Sequence, residues 1–509
     1  LIKAKVKRQK AKEESEDDDH AVTRPRAEDE LKDNSHQLED ESLVPSRLRE
    51  DERGDISHPI FYLLPFAFCL FLVALGVRLL AWQDVRFEPV RAQYGVTANY
   101  KFAALALMEG GPGAFLSRTS PLAQQGTLGH PPGYPFFLAL AYELLGDADE
   151  TTLLIQVFAD AAGAVVLLLI AAEFVPRGAA IVAGLLAAVA PQFIWNAVQM
   201  LPDALAVLPI LLAVYLIVLA MRRPRVWKFV LAGALVGLSC WLRANAMLLA
   251  PFLAVAVVVL FGRGVGLRYA LALVAGAVLT IAPLTIRNAW VFGHFVPVSL
   301  GAGQTLLEGI GDYDAEGRLG IPATDTGIQQ MEAARYGRPE YATDLFGPDA
   351  IRRERARLAL GWSVIRSHPF WFAGVMAQRA ASMLRLERTP RVSTAPPASD
   401  AAGETAIAWS SVPRLVVANV QKLFITAVFL PLYVAGLVLL WREGSRRALV
   451  LLLAVPVYYL CVQSALHTEY RYVMAMHYFL FVPAAASLYS AGRIIWNGAT
   501  RLAPRARRG

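Results

Sequence analysis

The stretch Leu128-Gly129-His130-Pro131-Pro132-Gly133-Tyr134-Pro135 decides how the chain is read. It stands in a polar segment, residues 82–150, between two long apolar blocks. Prolines restrict φ, glycine permits close backbone approach, and tyrosine brings an amphipathic ring to a membrane surface. His130 precedes a proline, which pushes its backbone toward extended geometry. Irregular backbone beside a bilayer persists only where protein or a water-filled cavity satisfies its amides. The stretch therefore predicts the floor of a site at a membrane surface.

The blocks on either side set the fold class. The 509 residues are 56% hydrophobic and 18% charged, with mean hydropathy +0.42; soluble domains carry roughly a quarter charged residues. The excess lies in runs long enough to cross a bilayer, near 60–80, 152–174, 178–196, 202–221, 227–242, 246–262, 268–286, 419–441, 447–465 and 471–491. At about 20 residues each, these predict an all-α polytopic membrane protein with about ten transmembrane helices. Two further apolar stretches, 134–145 and 370–386, are read as helices lying in the membrane interface of external loops; the second carries Arg379 and Arg385.

Charge gives the orientation. Arg222, Arg223, Arg225 and Lys228, then Arg263 and Arg268, then Arg442, Arg446 and Arg447, and the basic run 501–508 fall on one side of that count. The positive-inside rule makes this side cytoplasmic. The net charge of +7 is thus a topology signal, and nucleic acid is not an expected partner. The organisation that follows has five parts. Residues 1–57 form a disordered, charged cytoplasmic tail, and 58–286 an N-terminal bundle with a catalytic first external loop at 82–150. An external segment, 287–418, precedes the C-terminal helices 419–491 and a basic cytoplasmic tail, 492–509. The tail has no apolar run of the signal-peptide kind. Leu1 stands where Met is expected, so the chain is read as lacking its first residues or using an unusual start codon. Cys69, Cys240 and Cys461 lie in apolar runs without metal-ligand spacing and are read as small core residues. There is no Walker A motif and no GxGxxG after a strand, which argues against a nucleotide site.

Few external groups are able to do chemistry. The carboxylates before the long loop are Asp84, Glu88, Glu109, those between Glu143 and Glu150, and Asp203. Two carboxylates at one pocket would suit a reaction in which a hydroxyl loses its proton. Arg243, Arg287 and Arg471, at external span ends, would suit a developing phosphate charge. Each has a plainer role available: a snorkelling arginine, a helix cap at Asp203, a solvated Asp84 or Glu88, a scaffold hydrogen bond at His130. Asp160 lies roughly 13 Å into a span at about 1.5 Å per residue, where a carboxylate needs a partner or a proton. It is read as a structural hydrogen bond, with no evident cationic partner. Asp312, Asp314 and Glu316 are close in sequence; a divalent cation is one reading and a solvated loop the favoured one.

The ordered set resembles the membrane-embedded GT-C glycosyltransferases, specifically the bacterial family related to protein mannosyltransferases and aminoarabinose lipid A transferases. The motifs that carry the likeness are His130-Pro131-Pro132-Gly133-Tyr134-Pro135, Leu201-Pro202-Asp203 and Leu242-Arg243-Ala244-Asn245-Ala246. They continue with Ile286-Arg287-Asn288-Ala289-Trp290-Val291-Phe292-Gly293, Ser367-His368-Pro369 and Glu469-Tyr470-Arg471-Tyr472. The likeness covers about residues 60–491. The resemblance implies transfer of a hexose or pentose from a polyprenyl-phosphate donor to a lipid, glycan or protein acceptor at the outer face. The setting it implies is a bacterial inner membrane with both chain termini in the cytoplasm. It carries over Asp203, Asp84 and Glu88 as catalytic carboxylates. His130, Tyr134, Asn99, Tyr100, Arg243, Arg287 and Arg471 become substrate-binding residues. The family's first-loop carboxylate is missing here, since Tyr94-Gly95-Val96-Thr97-Ala98-Asn99-Tyr100 has none; Asp84 or Glu88 would replace it. A lipid transporter or flippase and a non-catalytic scaffold of the same fold are the competing readings.

Overall fold

The computed structural model describes residues 59–502, apart from 147, 388 and 394–410. The expected charged tail at 1–57 lies outside the described residues. Among those described there is no strand, and the chain is an all-α polytopic membrane protein. Seven helices are long and apolar enough to cross a bilayer, or nine if two bent pairs are each one span. The sequence suggests about ten. The difference is Val226–Leu242, whose 17 residues make it a shorter apolar helix.

The first helix, α1 (Pro59–Phe87), shows how the pattern builds the bundle. Leu63, Ala67, Leu70, Ala74, Val77 and Ala81 recur every three to four residues and are buried. Leu64, Phe66, Phe68 and Leu72 are exposed on the other side, an apolar surface that suits lipid. α4 (Asp149–Ala171), α5 (Arg177–Val189), α6 (Pro191–Ala197) and α7 (Asp203–Arg222) follow. α5 and α6 meet at a 49° bend, where Pro191 disfavours helical geometry at Ala190. α8 (Val226–Leu242) and α10 (Arg263–Phe292) cross so closely that a Cβ on Gly233 would lie 1.8 Å from the Leu273 carbonyl oxygen. One on Gly276 would lie 2.0 Å from that of Val230. Only glycine permits this approach. α9 (Leu249–Phe261), α16 (Thr426–Arg442) and α17 (Arg446–Val462) complete the bundle around α18 (Met474–Leu502). Residues 473–487 of that helix and its approach are buried without a break, as expected for a segment apolar all round.

Asp160 has the cation the sequence did not reveal. Arg78 on α1 donates through Nε to Asp160 Oδ2 at 2.5 Å. Its Nη1 reaches the carbonyls of Ala74 and Ala188, each at 3.0 Å, and the Tyr478 hydroxyl donates to Asp160 Oδ1 at 3.3 Å. The group joins α1, α4, the end of α5 and α18, a structural role.

Two connections are built more regularly than their polarity suggests. The first contains α2 (Thr97–Leu116), kinked at Gly111-Pro112, and α3 (Gly133–Leu145), the helix expected at 134–145. The second starts later than expected, because α10 continues past 286 to Phe292. It folds into α11 (Ala302–Gly311), α12 (Asp325–Tyr336), α13 (Ala350–Ser367) and α14 (Pro369–Met383). Leu307, Ile310, Ile328 and Phe372 form its core. Buried Arg353 and Arg357 both bind Glu332, at 2.7 Å. α15 (Ser411–Gln421) then meets α16 at a 65° bend.

Candidate active site

Asp203 opens α7, and its side chain has no exposed surface. Arg243, in the turn after α8, donates through Nη1 to Asp203 Oδ2 at 2.8 Å. Asp203 Oδ1 has no partner among the described residues. Arg471, from the short turn before α18, lies within electrostatic reach of Asp203. Asp203, Arg243 and Arg471 line one small cavity with Asn245, Tyr459 and Tyr472. Its volume of ≈ 10 Å³ has room for about one water.

Aromatic rings set the two guanidiniums. Arg243 lies 4.2 Å over Tyr472, and Arg471 lies 4.9 Å over Tyr94 and 5.2 Å over Tyr472. Such stacking orients a cation while leaving its N–H edge available. Glu469 accepts two bonds from Arg471, from Nε at 2.7 Å and Nη2 at 3.0 Å. The Asn245 amide donates to the Tyr472 carbonyl at 2.9 Å, which ties the α8–α9 turn to the segment carrying Arg471, and the Tyr458 hydroxyl donates to the Asn245 carbonyl at 2.5 Å, which ties the same turn to α17.

Rings of the first loop stand as a wall within electrostatic reach of Arg243 and Arg471. Tyr100 is buried, edge-on to Tyr134 at 5.1 Å and tilted to His130 at 5.2 Å. Loss of water around His130, with Arg243 and Arg471 nearby, pushes its imidazole down to about 4, so it is neutral near pH 7. Burial also raises the Tyr100 phenol, which therefore stays protonated. Tyr134 sits behind this wall; its hydroxyl donates to Gln156 Oε1 at 2.7 Å. Gly133 has a defined reason: a Cβ there would lie 2.5 Å from the Trp241 carbonyl oxygen, so α3 reaches α8 only without a side chain.

Other candidates stand elsewhere. Asp84 pairs with Arg414 of α15 at 2.7 Å. Glu88 is exposed beside Arg91. Asn99 is exposed on α2. Arg287 is buried in α10 and holds the first loop: Nε donates to the Phe115 carbonyl at 2.9 Å and Nη2 to that of Leu122 at 2.8 Å. Asp312, Asp314 and Glu316 diverge, to His467 at 2.8 Å, to the Arg318 and Leu319 amides, and to the Arg318 side chain. No trio of His, Cys, Asp or Glu fit to hold a metal occurs among the described residues. At the far side of His130 stands a second acidic group. There the Gln304 amide donates to both Glu308, at 3.2 Å, and Asp325. Burial, then Asp325, raises the Glu308 carboxyl to about 9.

Glu469, Tyr472, Tyr94 and Asn245 stand within the motifs quoted from the sequence, which gave none of them a role at the site. The alternation of charge and ring in Glu469-Tyr470-Arg471-Tyr472 was the available signal.

Residues 129–286 match the family model described as dolichyl-phosphate-mannose-protein mannosyltransferase. The matched stretch holds His130, Tyr134, Asp203 and Arg243 and stops one residue before Arg287. It takes in just under a third of this chain. Among solved structures, the chain is similar to the archaeal oligosaccharyltransferase AglB from Archaeoglobus fulgidus, in complex with an inhibitory peptide and a dolichol-phosphate. That likeness has 14% identity, 88% coverage of this chain, 52% of that one, and TM-score 0.46. It is also similar to ArnT from Cupriavidus metallidurans in the apo state, at 17% identity, 85% and 77% coverage, and TM-score 0.34. ArnT bound to undecaprenyl phosphate gives 16%, 85%, 78% and 0.34. The chain spans about half the length of the oligosaccharyltransferase chains it matches. No curated protein sequence matches it.

Proposed function

We propose that the protein is a glycosyltransferase that moves a hexose or pentose from a polyprenyl-phosphate donor to a lipid, glycan or protein acceptor. The reaction takes place on the outer face of a bacterial inner membrane. The observation that carries this reading is the convergence of Asp203, Arg243 and Arg471, from three distant parts of the chain, at one cavity behind the Tyr100–His130 wall.

Arg243 and Arg471 present N–H groups to the lipid phosphate, whose charge grows as the bond to the sugar breaks. Asp203 holds Arg243 in place and offers its free Oδ1 to a hydroxyl. Neutral His130 and protonated Tyr100 bound the sugar. The first loop, 82–150, is the catalytic loop, and Arg287 fixes its backbone rather than the phosphate. Each part of this scheme uses groups of the chain alone and routes no step through a metal. A transporter would want paired ionisable groups within the membrane that face a water-filled path; Arg78 and Asp160 are such a pair, but their side chains are enclosed by the bundle.

The test is the full-length protein in lipid nanodiscs with radiolabelled undecaprenyl-phosphate hexoses and pentoses and a panel of lipid, glycan and peptide acceptors. Transfer of label with release of undecaprenyl phosphate is expected. Movement of the intact lipid without transfer would replace this reading by the transporter, and binding without turnover by the scaffold.

A further inference from the structure

Transfer of a sugar to a hydroxyl releases a proton, and some group at the cleft must take it. The segment Tyr94 to Tyr100 has no carboxylate, Asp84 is held by Arg414, and Glu88 is exposed beside Arg91. Asp203 is at the cleft, but its side chain is 0% exposed and one oxygen is committed to Arg243. Glu469 differs. Its side chain is 37% exposed, while its partner Arg471 is 11% exposed and lines the cavity. Arg471 also stacks on Tyr94, so the pair stands against the very loop segment that lacks an acid.

We propose that Glu469 is the catalytic base of the transfer and that Arg471 controls its access to the acceptor; this rests on the glycosyl-transfer reading above. In the structure Arg471 occupies both carboxylate oxygens, and the Tyr472 hydroxyl lies 3.5 Å from one of them. Few lone pairs are left for an acceptor. The donor phosphate is a second claimant on the guanidinium, because a planar fork binds phosphate and carboxylate alike. As Arg471 turns to the phosphate, Glu469 regains lone pairs toward the acceptor hydroxyl. The acceptor oxygen then bonds to the anomeric carbon. The bond from that carbon to the phosphate oxygen breaks, and its electron pair leaves with the polyprenyl phosphate. The hydroxyl proton passes to Glu469 and then to water. Charge follows the same course. Asp203 and Glu469 balance Arg243 and Arg471, so negative charge gained by the leaving phosphate is offset as Glu469 becomes neutral. Donor binding must precede acceptor activation.

The experiment uses full-length protein in nanodiscs. Wild-type transfer is recorded first, from the undecaprenyl-phosphate sugars already described. Failure with every sugar overturns the glycosyl-transfer reading itself and is visible before any variant is made. With a sugar that works, Glu469→Gln is expected to lower single-turnover transfer by about 100-fold or more. Its binding of tritiated undecaprenyl phosphate should stay close to wild type, and formate should restore transfer to Glu469→Gly. Three results would each overturn the proposal. The first is near wild-type transfer by Glu469→Gln. The second is joint loss of binding and transfer, which would make Glu469 only a holder of Arg471. The third is a Glu469→Gly enzyme that formate does not restore.

Discussion

Asp203 and Arg243 are 40 positions apart in sequence and meet at 2.8 Å, with the aspartate side chain wholly enclosed. The two ends of α7 and α8 are joined there, and Tyr472 stacks on the guanidinium. Substituting Asp203 with Asn should keep the volume and the expression level and reduce transfer by about 100-fold or more, the scale of losing one electrostatic stabiliser. Radiolabel transfer beside a thermal melt separates the two effects. Arg243→Ala should do worse, because it leaves a buried carboxylate alone, at a stability cost of about 3–5 kcal/mol.

The pair Arg78–Asp160 is more enclosed still, with side-chain exposures of 0% and 3%. Removing either partner is expected to destabilise the bundle by about 3–5 kcal/mol, whereas replacing both with apolar residues of similar size should return most of it. Melting temperatures of Arg78→Met, Asp160→Leu and the double variant in one detergent test this. Additive losses in the double variant would contradict it.

Arg287 provides a prediction of a different kind. It grips the carbonyls of Phe115 and Leu122, so Arg287→Ala should loosen the first loop. Amide hydrogen exchange should rise at residues 113–123 and transfer should fall. Binding of undecaprenyl phosphate should change less than in an Arg471→Ala variant. Equal losses of binding would return Arg287 to the phosphate site.

Glu308 makes stability depend on pH. Burial, then Asp325 and Asp312, raises its folded pKa to about 9 from 4.5, against the opposing hydrogen bond from Gln304. The folded state therefore holds a proton that the unfolded state has lost, and stability falls as pH climbs from about 4.5 through about 9. Glu308→Gln should melt near wild type at pH 4.5 and higher than wild type at pH 8, by more than about 1 kcal/mol. Parallel melting curves at both pH values would contradict the assignment.

Much of the bundle was legible because its signals are local. A run such as 202–221 needs no partner to be read as a span, and the close approach of Gly133 is implied by its neighbours Pro132 and Tyr134. What could not be read depends on distance along the chain. Arg78 looks like a snorkelling arginine until Asp160, 82 residues on, is seen to meet it. Arg287 looks like a phosphate ligand until the first loop supplies two carbonyls. The segment after α10 reads as polar and irregular because the buried face of α13 carries Arg353 and Arg357, whose burial is explained by Glu332 and by the carbonyls of Tyr341, Asp344 and Leu345. Asp203 and Arg243 were both picked out by their motifs; their contact, and the place of Glu469 beside them, needed three dimensions.

The length of α10 has one last implication. Its 30 residues extend about 45 Å at 1.5 Å per residue, well beyond a hydrocarbon core of about 30 Å. The rod must lean or protrude, by an amount the surrounding bilayer sets. One tip turns at Arg263, and near the other Arg287 grasps the backbone of the first loop. A thinner or thicker lipid mixture would then act as a mechanical dial on turnover, transmitted along a single lever arm.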